Sequence, residues 1–320
     1  MTLRHAQGPV AAIDCGTNSV RLLVSELRDG APAELERTLR LTRLGQGVDA
    51  TGEFHPDALT RTFAAVDEYA AILARHGVER LRFVATSAAR DARNRDAFSD
   101  GIRARLGVTP EVISGEEEAQ LSFDGALAAL PAADLPALVM DIGGGSTELV
   151  LGEHGRPVAG TSLDIGAVRL RERFLAADPP TPAEVAAASA HVDDLLDASG
   201  IDLSAARTWV GVGGTATSLS AIAQGLPTYD RARVHASTLG RPELTSLATR
   251  LLAMPVAEVL QIPTMVPGRA DVICAGALVC ARVAARVGVD LVVSESDILD
   301  GIVAQLLSGG PVGAGPAAAP

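Results

Sequence analysis

The sequence predicts an α/β chain made of two similar lobes. Short apolar runs that are typical of buried strands alternate along the chain with longer segments of helical periodicity. The 320 residues exceed one ordinary domain of about 100–200 residues, and a motif near the N-terminus recurs at residue 141. Alternation, length and repeat together favour two α/β lobes.

The hydrophobic pattern places the main elements. The predicted strands cover residues 10–13, 20–24, 81–85, 138–140, 149–151, 209–212 and 291–293. The predicted helices cover residues 56–76, 91–106, 116–130, 182–198, 215–223 and 269–287. Residues 131–136 are expected to form a linker, and residues 309–320, which lack any charge, a disordered tail.

The repeat aligns residues 14–24 with residues 141–151. Asp, Gly, Ser and Leu match at offsets 0, 2, 5 and 8. Each copy lies between apolar strands, so each is predicted to be a β-hairpin whose tight turn presents backbone N–H groups to an anion. Either hairpin alone is equally well explained as a plain structural turn, but the pair favours a phosphate site.

The second turn contains Gly143, Gly144 and Gly145, which allow close backbone approach and positive φ. The turn is not a dinucleotide fingerprint, because the pattern after Asp141 continues into a strand and not into a helix. We therefore interpret it as a cradle for phosphate oxygens.

The acids of the repeat are suited to a hard cation. Asp14 and Asp141 end their strands, where a carboxylate can hold Mg²⁺ directly or through water, or can simply cap the turn. At offset 7 the copies differ, with Arg21 in the first and Glu148 in the second. This difference predicts a phosphate clamp in one lobe and a further metal-side carboxylate in the other.

Two other segments carry candidate chemistry. Glu116, Glu117 and Glu118 stand at the predicted start of a helix, where acids complement the helix dipole or supply a general base. Three arginines follow a predicted strand-to-helix junction and are candidates for phosphate contacts, although surface ion pairs account equally well for at least two of them: Arg90, Arg93 and Arg95.

Composition excludes several classes of protein. All 27 basic residues are arginine, so mechanisms that need a lysine are ruled out, among them P-loop NTPases, protein kinases and Schiff-base enzymes. The net charge of −12 argues against nucleic-acid and anionic-membrane partners. Three cysteines without CxxC spacing and histidines without HExxH spacing predict a reducing, cytoplasmic location and no transition-metal site.

Seven ordered segments together resemble the exopolyphosphatase/guanosine pentaphosphate phosphohydrolase family. They cover residues 11–24, 85–90, 112–119, 139–150, 209–215, 267–273 and 296–302. The resemblance implies the fold of actin and the sugar kinases, with two ribonuclease-H-like lobes and an active site in the cleft between them. It implies lobes at residues 1–130 and 131–308, with the terminal helix at 297–308 a candidate to pack back on the first.

Carried over by position, the resemblance assigns a role to each matching residue. The water-activating base is Glu118, with Glu117 as the fallback. The phosphate-binding residues are Thr17, Asn18, Ser19, Arg21, Arg90, Gly143, Gly144, Gly145, Ser146 and Thr147. The metal-side residues are Asp14, Asp141 and Glu148.

The expected activity is Mg²⁺-dependent release of terminal phosphate from inorganic polyphosphate, with Mn²⁺ as the second possible ion. Hydrolysis of guanosine pentaphosphate is the nearest rival. The motifs are also compatible with an ATP-dependent kinase of the same fold and with a non-catalytic alarmone sensor that binds guanosine tetraphosphate. A homodimer is left open.

Longer family members carry a helical region that resembles HD hydrolases. Its absence from this sequence predicts a preference for short polyphosphate chains and distributive release of phosphate.

Overall fold

The computed structural model describes residues 8–130, 132–153 and 156–310. Its contacts divide these residues into two compact units. One contains residues 8–114 and 298–310, and the other contains residues 115–297. The predicted tail therefore lies outside the described residues, apart from Gly309 and Gly310.

The elements up to residue 114 follow in chain order. They are β1 (Val10–Cys15), β2 (Ser19–Arg28), β3 (Ala31–Leu41), α1 (Val48–Thr51), α2 (Pro56–His76), β4 (Arg80–Ala85), α3 (Ser87–Asp91), α4 (Arg95–Leu106) and β5 (Glu111–Val112).

The remaining elements continue this numbering. They are α5 (Gly115–Ala128), β6 (Ala137–Ile142), β7 (Thr147–Glu153), β8 (Arg156–Leu163), α6 (Ala167–Phe174), α7 (Pro182–Ala198), β9 (Thr208–Val212), α8 (Gly213–Ala223), α9 (Arg231–Val234), β10 (Thr238–Leu239), α10 (Arg241–Ala253), α11 (Val256–Val259), α12 (Pro267–Ala270), α13 (Ile273–Ala284), β11 (Leu291–Val293) and α14 (Ile298–Leu307).

The two sheets repeat one topology. In the first unit the strand order is β3-β2-β1-β4-β5, and in the second it is β10-β11-β9-β6-β7-β8. Each contains three antiparallel strands joined by hairpins, β1 to β3 or β6 to β8, and a parallel neighbour on the other side of the first strand. The predicted α/β class, with two ribonuclease-H-like lobes of the actin-like fold, is confirmed.

The central strands are buried on both faces. In the second unit Leu138 and Met140 pack with α8 and α13, while Val139, one residue out of phase, packs with Phe123 of α5. In the first unit Ile13 packs with α2 and α4, and α14 packs against β1 and β2. Strand burial explains why these segments show as continuous apolar runs.

The unit boundary differs from the predicted one at residues 130 and 131. It falls one helix earlier because α5 buries Ala119 and Phe123 against Val150 of β7 and so belongs with the second sheet. The terminal helix α14 joins the first unit because it packs on the first sheet.

Some element predictions were wrong in detail. Helices α2 and α7 have the predicted bounds. The helix predicted at 91–106 begins only at Arg95, as α4, because Asp91 ends α3, and the segment predicted at 269–287 is divided into α12 and α13. Strand β3 was missed because its charged, half-exposed residues are those of an edge strand. Among the described residues, no helix combines the length and hydrophobicity that crossing a membrane requires.

Candidate active site

Both repeated segments form the predicted hairpins, and the same hydrogen bond closes both turns. The Gly16 N–H donates to the Ser19 carbonyl at 2.9 Å, and the Gly143 N–H donates to the Ser146 carbonyl at 3.0 Å. The matching offsets of the repeat therefore place glycine and serine at equivalent positions of two four-residue loops, residues 16–19 and residues 143–146.

In the second unit the start of α6 holds every glycine carbonyl of the 143–146 loop. The N–H of Ala167 donates to Gly143 and that of Val168 donates to Gly144, both at 2.8 Å. The Gly145 carbonyl accepts from the Arg169 Nε at 2.8 Å and from the Gly166 N–H at 3.2 Å. The three glycine carbonyls of the loop thus all point toward the start of α6.

The loop N–H groups consequently point away from α6. A trans peptide places its N–H opposite its C=O, so the N–H groups of Gly144, Gly145 and Ser146 face the other side of the loop. Within the described part of the chain, these three donate no hydrogen bond. Successive N–H groups that converge in this way form an anion-binding concavity.

The close approach in this region is made by Gly166, at the start of α6. The positive φ that glycine allows is not used at Gly143, Gly144 or Gly145, since none of them is among the positive-φ glycines of the described residues. Instead Gly166 approaches so closely that a Cβ there would lie 2.3 Å from the Gly144 carbonyl carbon.

The 16–19 loop of the first unit is held in the same manner from the end of β3. Its Thr17 carbonyl accepts from the Gly45 N–H at 2.8 Å, and its Asn18 carbonyl accepts from Thr42 and Arg43 at 3.1 and 3.0 Å. A Cβ on Gly45 would lie 2.3 Å from Thr17 Cγ2. Gly45 is thus the counterpart of Gly166.

Asp141 and Glu148 form a buried carboxylate pair in the second unit. They are cross-strand partners on β6 and β7, and the two residues are 8% and 2% exposed. Burial, with the nearby charges of Glu118 and Asp141, raises the pKa of Glu148 well above its usual range, although hydrogen bonds from Ser162 and Ser146 act in the opposite direction.

The first helical turn of α5 brings Glu118 to this pair. One turn further along the helix, the Ser122 hydroxyl donates to Asp141 Oδ2 at 3.2 Å, so Glu118 and Ser122 share the helix face toward β6. Glu118 is half-buried and close enough to Glu148 to perturb its ionisation. Glu116 and Glu117 are less well placed for this role, since Glu117 is exposed and neither is among the charges that raise the pKa of Glu148. The structure therefore favours Glu118 as the acid of this cluster.

The carboxylates suit Mg²⁺ in kind and in number. Among the described residues, no three His, Cys, Asp or Glu side chains converge into a complete metal cage. Mg²⁺ seldom uses such a cage, because it retains waters and binds one or two carboxylates together with substrate phosphates. Asp141 and Glu148 supply such a pair, and a divalent cation would relieve their mutual repulsion.

Asp14, which the sequence grouped with the metal residues, is ion paired with Arg21. The Arg21 Nη2 and Nε lie 2.6 and 3.0 Å from Asp14 Oδ2, and both side chains are largely buried.

Cys15, the residue after Asp14, is a buried thiol. Its burial is the main cause, and the charge of Asp14 the second cause, of a raised pKa, so Cys15 is a protonated core group.

The three arginines that follow β4 differ in burial and in partners. The half-buried Arg90 lies on α3 and donates from Nη1 to the Ile113 carbonyl at 3.0 Å. Arg93 has an exposed side chain that contacts Glu53 at 3.4 Å, and Arg95 is exposed as well. Of the three, Arg90 is the half-buried one, and its assignment as a phosphate ligand stays a prediction.

Thr147 and Arg169 have structural roles that the sequence did not predict. Thr147, predicted to bind phosphate, is fully buried and donates its hydroxyl to the Ile165 carbonyl at 3.0 Å. Arg169, which holds the Gly145 carbonyl, was not singled out at all. The sequence did carry a signal for the segments that hold the two loops. Shortly after both β3 and β8, an aliphatic residue is followed by a glycine, in Leu44-Gly45 and in Ile165-Gly166.

Comparison with known proteins places this site in a family context. A model of the Ppx/GppA phosphatase family matches residues 23–298. Exopolyphosphatase 2 of Mycobacterium tuberculosis is 50% identical over 313 residues, covering 93% of this chain and 98% of the relative. A crystal structure of an exopolyphosphatase-like protein aligns with a TM-score of 0.89 at 42% identity, covering 94% of this chain and 99% of the other.

A more distant relative has a different named substrate. A guanosine-5'-triphosphate,3'-diphosphate pyrophosphatase of Photobacterium profundum is 36% identical over 164 residues, which cover 51% of this chain and 33% of the relative.

Proposed function

The chain belongs to the Ppx/GppA phosphatase family, and we propose that it is an exopolyphosphatase, a hydrolase that releases terminal phosphate from inorganic polyphosphate. The observation that carries this proposal is the combination, within one unit, of the outward N–H groups of the 143–146 loop with the carboxylates of Glu118, Asp141 and Glu148. An anion cradle next to acids suits phosphoanhydride hydrolysis, which needs positioning, charge neutralisation and an oriented water.

Phosphate binding is assigned to both repeated loops. The terminal phosphate accepts hydrogen bonds from the N–H groups of Gly144, Gly145 and Ser146. In the first unit, the proposed phosphate contacts of the loop are Thr17, Asn18 and Ser19. Arg21, which Asp14 orients, and Arg90, which the Ile113 carbonyl orients, are the proposed phosphate-binding arginines of that unit.

Glu118 acts as the general base. It accepts a proton from a water whose oxygen attacks the terminal phosphorus in line with the bridging oxygen. The bond from phosphorus to the bridging oxygen breaks, and the electron pair leaves with a polyphosphate that is one residue shorter. The proton ends on Glu118 or on the released phosphate, and no covalent intermediate is required.

Asp141 and Glu148 would hold Mg²⁺ or, in its place, Mn²⁺. Such a cation supplies neutralisation of the phosphate charge and of the charge that develops on the leaving oxygen. Ser122 and Ser162 keep these two carboxylates in place through hydrogen bonds of 3.2 and 2.7 Å.

Phosphate release from four substrates tests the proposal. Short polyphosphate, long polyphosphate, guanosine pentaphosphate and ATP are compared at equal concentration with Mg²⁺ present. We expect the highest kcat/KM on polyphosphate. Preference for guanosine pentaphosphate would establish the second candidate, which the Photobacterium relative favours, and activity on ATP alone would contradict both.

A further inference from the structure

Arg169 occupies an unusual position for a charged side chain. It lies on the first turn of α6 and only 9% of its surface is exposed. Its Nε donates to the Gly145 carbonyl at 2.8 Å, and its Nη1 lies 3.8 Å from the exposed carboxylate of Asp164. Burial of a charge is costly unless partners or function compensate for it.

The contact with Gly145 controls one end of the anion cradle. The Gly145 carbonyl and the Ser146 N–H belong to the same peptide unit, so fixing the carbonyl toward Arg169 fixes the N–H toward the opposite side. The Gly143 and Gly144 carbonyls are fixed similarly by Ala167 and Val168, but by backbone groups that every residue type except proline possesses. Arg169 is the side chain that completes this set.

Building on the proposed function, we infer that Arg169 is a positioning residue for phosphate binding. Its guanidinium holds the 143–146 loop with the N–H groups outward, and its buried positive charge strengthens the loop's attraction for an anion across the peptide plane. Arg169 acts through the loop and not by direct contact with the substrate.

The test compares Arg169→Met with Arg171→Met. Arg171 is a matched control on the same helix, because its Nη1 also donates to a backbone carbonyl, that of Ala177 at 2.9 Å, away from the loop. In Arg169→Met we expect the KM for polyphosphate to rise and the affinity for tripolyphosphate, measured by calorimetry, to fall by about tenfold, with a smaller change in kcat. Arg169→Lys, which keeps the charge, should recover part of the affinity.

A second measurement does not depend on activity. The N–H groups of residues 166–168 donate to the loop carbonyls, so a loosened loop should accelerate their hydrogen exchange in Arg169→Met but not in Arg171→Met. If wild type releases no phosphate from polyphosphate, the proposed function fails while this readout still judges the inference. Exchange and tripolyphosphate affinity close to those of wild type would overturn it, as would a lower melting temperature as the sole effect. If Arg169→Met does not fold, Arg169→Lys, which keeps the charge but lacks the Nε donor, is measured instead: weaker tripolyphosphate binding and faster exchange than in wild type support the inference, and wild-type values of both overturn it.

Discussion

Asp141 and Glu148 stand directly opposite each other on β6 and β7, and the equivalent register of the first unit pairs Asp14 with Arg21. One repeated hairpin therefore carries two buried carboxylates, and the other carries a neutralised ion pair. A pair of like charges calls for a cation, whereas the ion pair needs none. The repeat has thus kept its backbone while its two copies differ in electrostatic role.

Replacing Glu148 should separate metal binding from folding. In metal-free buffer Glu148→Gln should unfold at the same temperature as wild type or higher, because it replaces a buried carboxyl whose ionisation is opposed by burial and by the neighbouring acids. Saturating Mg²⁺, at about 100 times its Kd, should stabilise wild type by about 2.7 kcal/mol and should leave the variant nearly unchanged. Calorimetric unfolding with and without Mg²⁺ measures both effects. Glu153→Gln, an exposed change on the same strand, is the control, and equal Mg²⁺ stabilisation of Glu148→Gln would argue against this ligand.

Gly166→Ala should damage the loop through sterics alone. The added Cβ would lie 2.4 Å from the Gly145 nitrogen, which is backbone that cannot rotate away. We expect a loss of about 1–3 kcal/mol in unfolding free energy, together with a higher KM. Gly160→Ala in β8 is the control, since its Cβ would meet Val150 at an ordinary 3.6 Å. Urea unfolding and phosphate-release assays measure the two effects. If both glycine variants gave the same results, the close approach of Gly166 to the loop would be refuted.

The stability of the second unit should depend on pH through Asp193. Partial burial opposes ionisation of this carboxyl, but hydrogen bonds from Arg282 and Arg286 outweigh it and lower the pKa of Asp193. A carboxyl whose pKa is lowered on folding stabilises the fold at pH values above its unfolded pKa of about 3.9. This stabilisation is lost as the pH falls through the folded pKa. Asp193→Asn should therefore cost about 1 kcal/mol at pH 7 and progressively less below about pH 4.

The neighbouring change Asp194→Asn is the control, because Asp194 is exposed. Urea unfolding of both variants across the pH range measures the difference. A cost of Asp193→Asn that does not change with pH would point to lost packing and not to the ion pairs.

Much of the site followed from the sequence because the repeat marks it twice. Matching Asp, Gly and Ser fix both hairpin turns, and Glu118 lies at a helix start that the sequence makes plain. The pairing of Asp14 with Arg21 was missed, since it depends on strand register, which places offset 7 across from offset 0. Gly45, Gly166 and Arg169 were missed because they follow the third strand of each sheet, and those strands differ in length.

The measurement that bears most directly on the mechanism is the turnover of Glu118→Gln beside that of Glu117→Gln. Glu118 shares a helix face with Ser122 and perturbs Glu148, whereas Glu117 is exposed. Loss of the proton acceptor should reduce kcat on polyphosphate by about 10²–10⁴ in Glu118→Gln, with tripolyphosphate affinity preserved, and Glu117→Gln should stay close to wild type. Near-normal turnover of Glu118→Gln, or a large loss in Glu117→Gln, would contradict the assignment of the base.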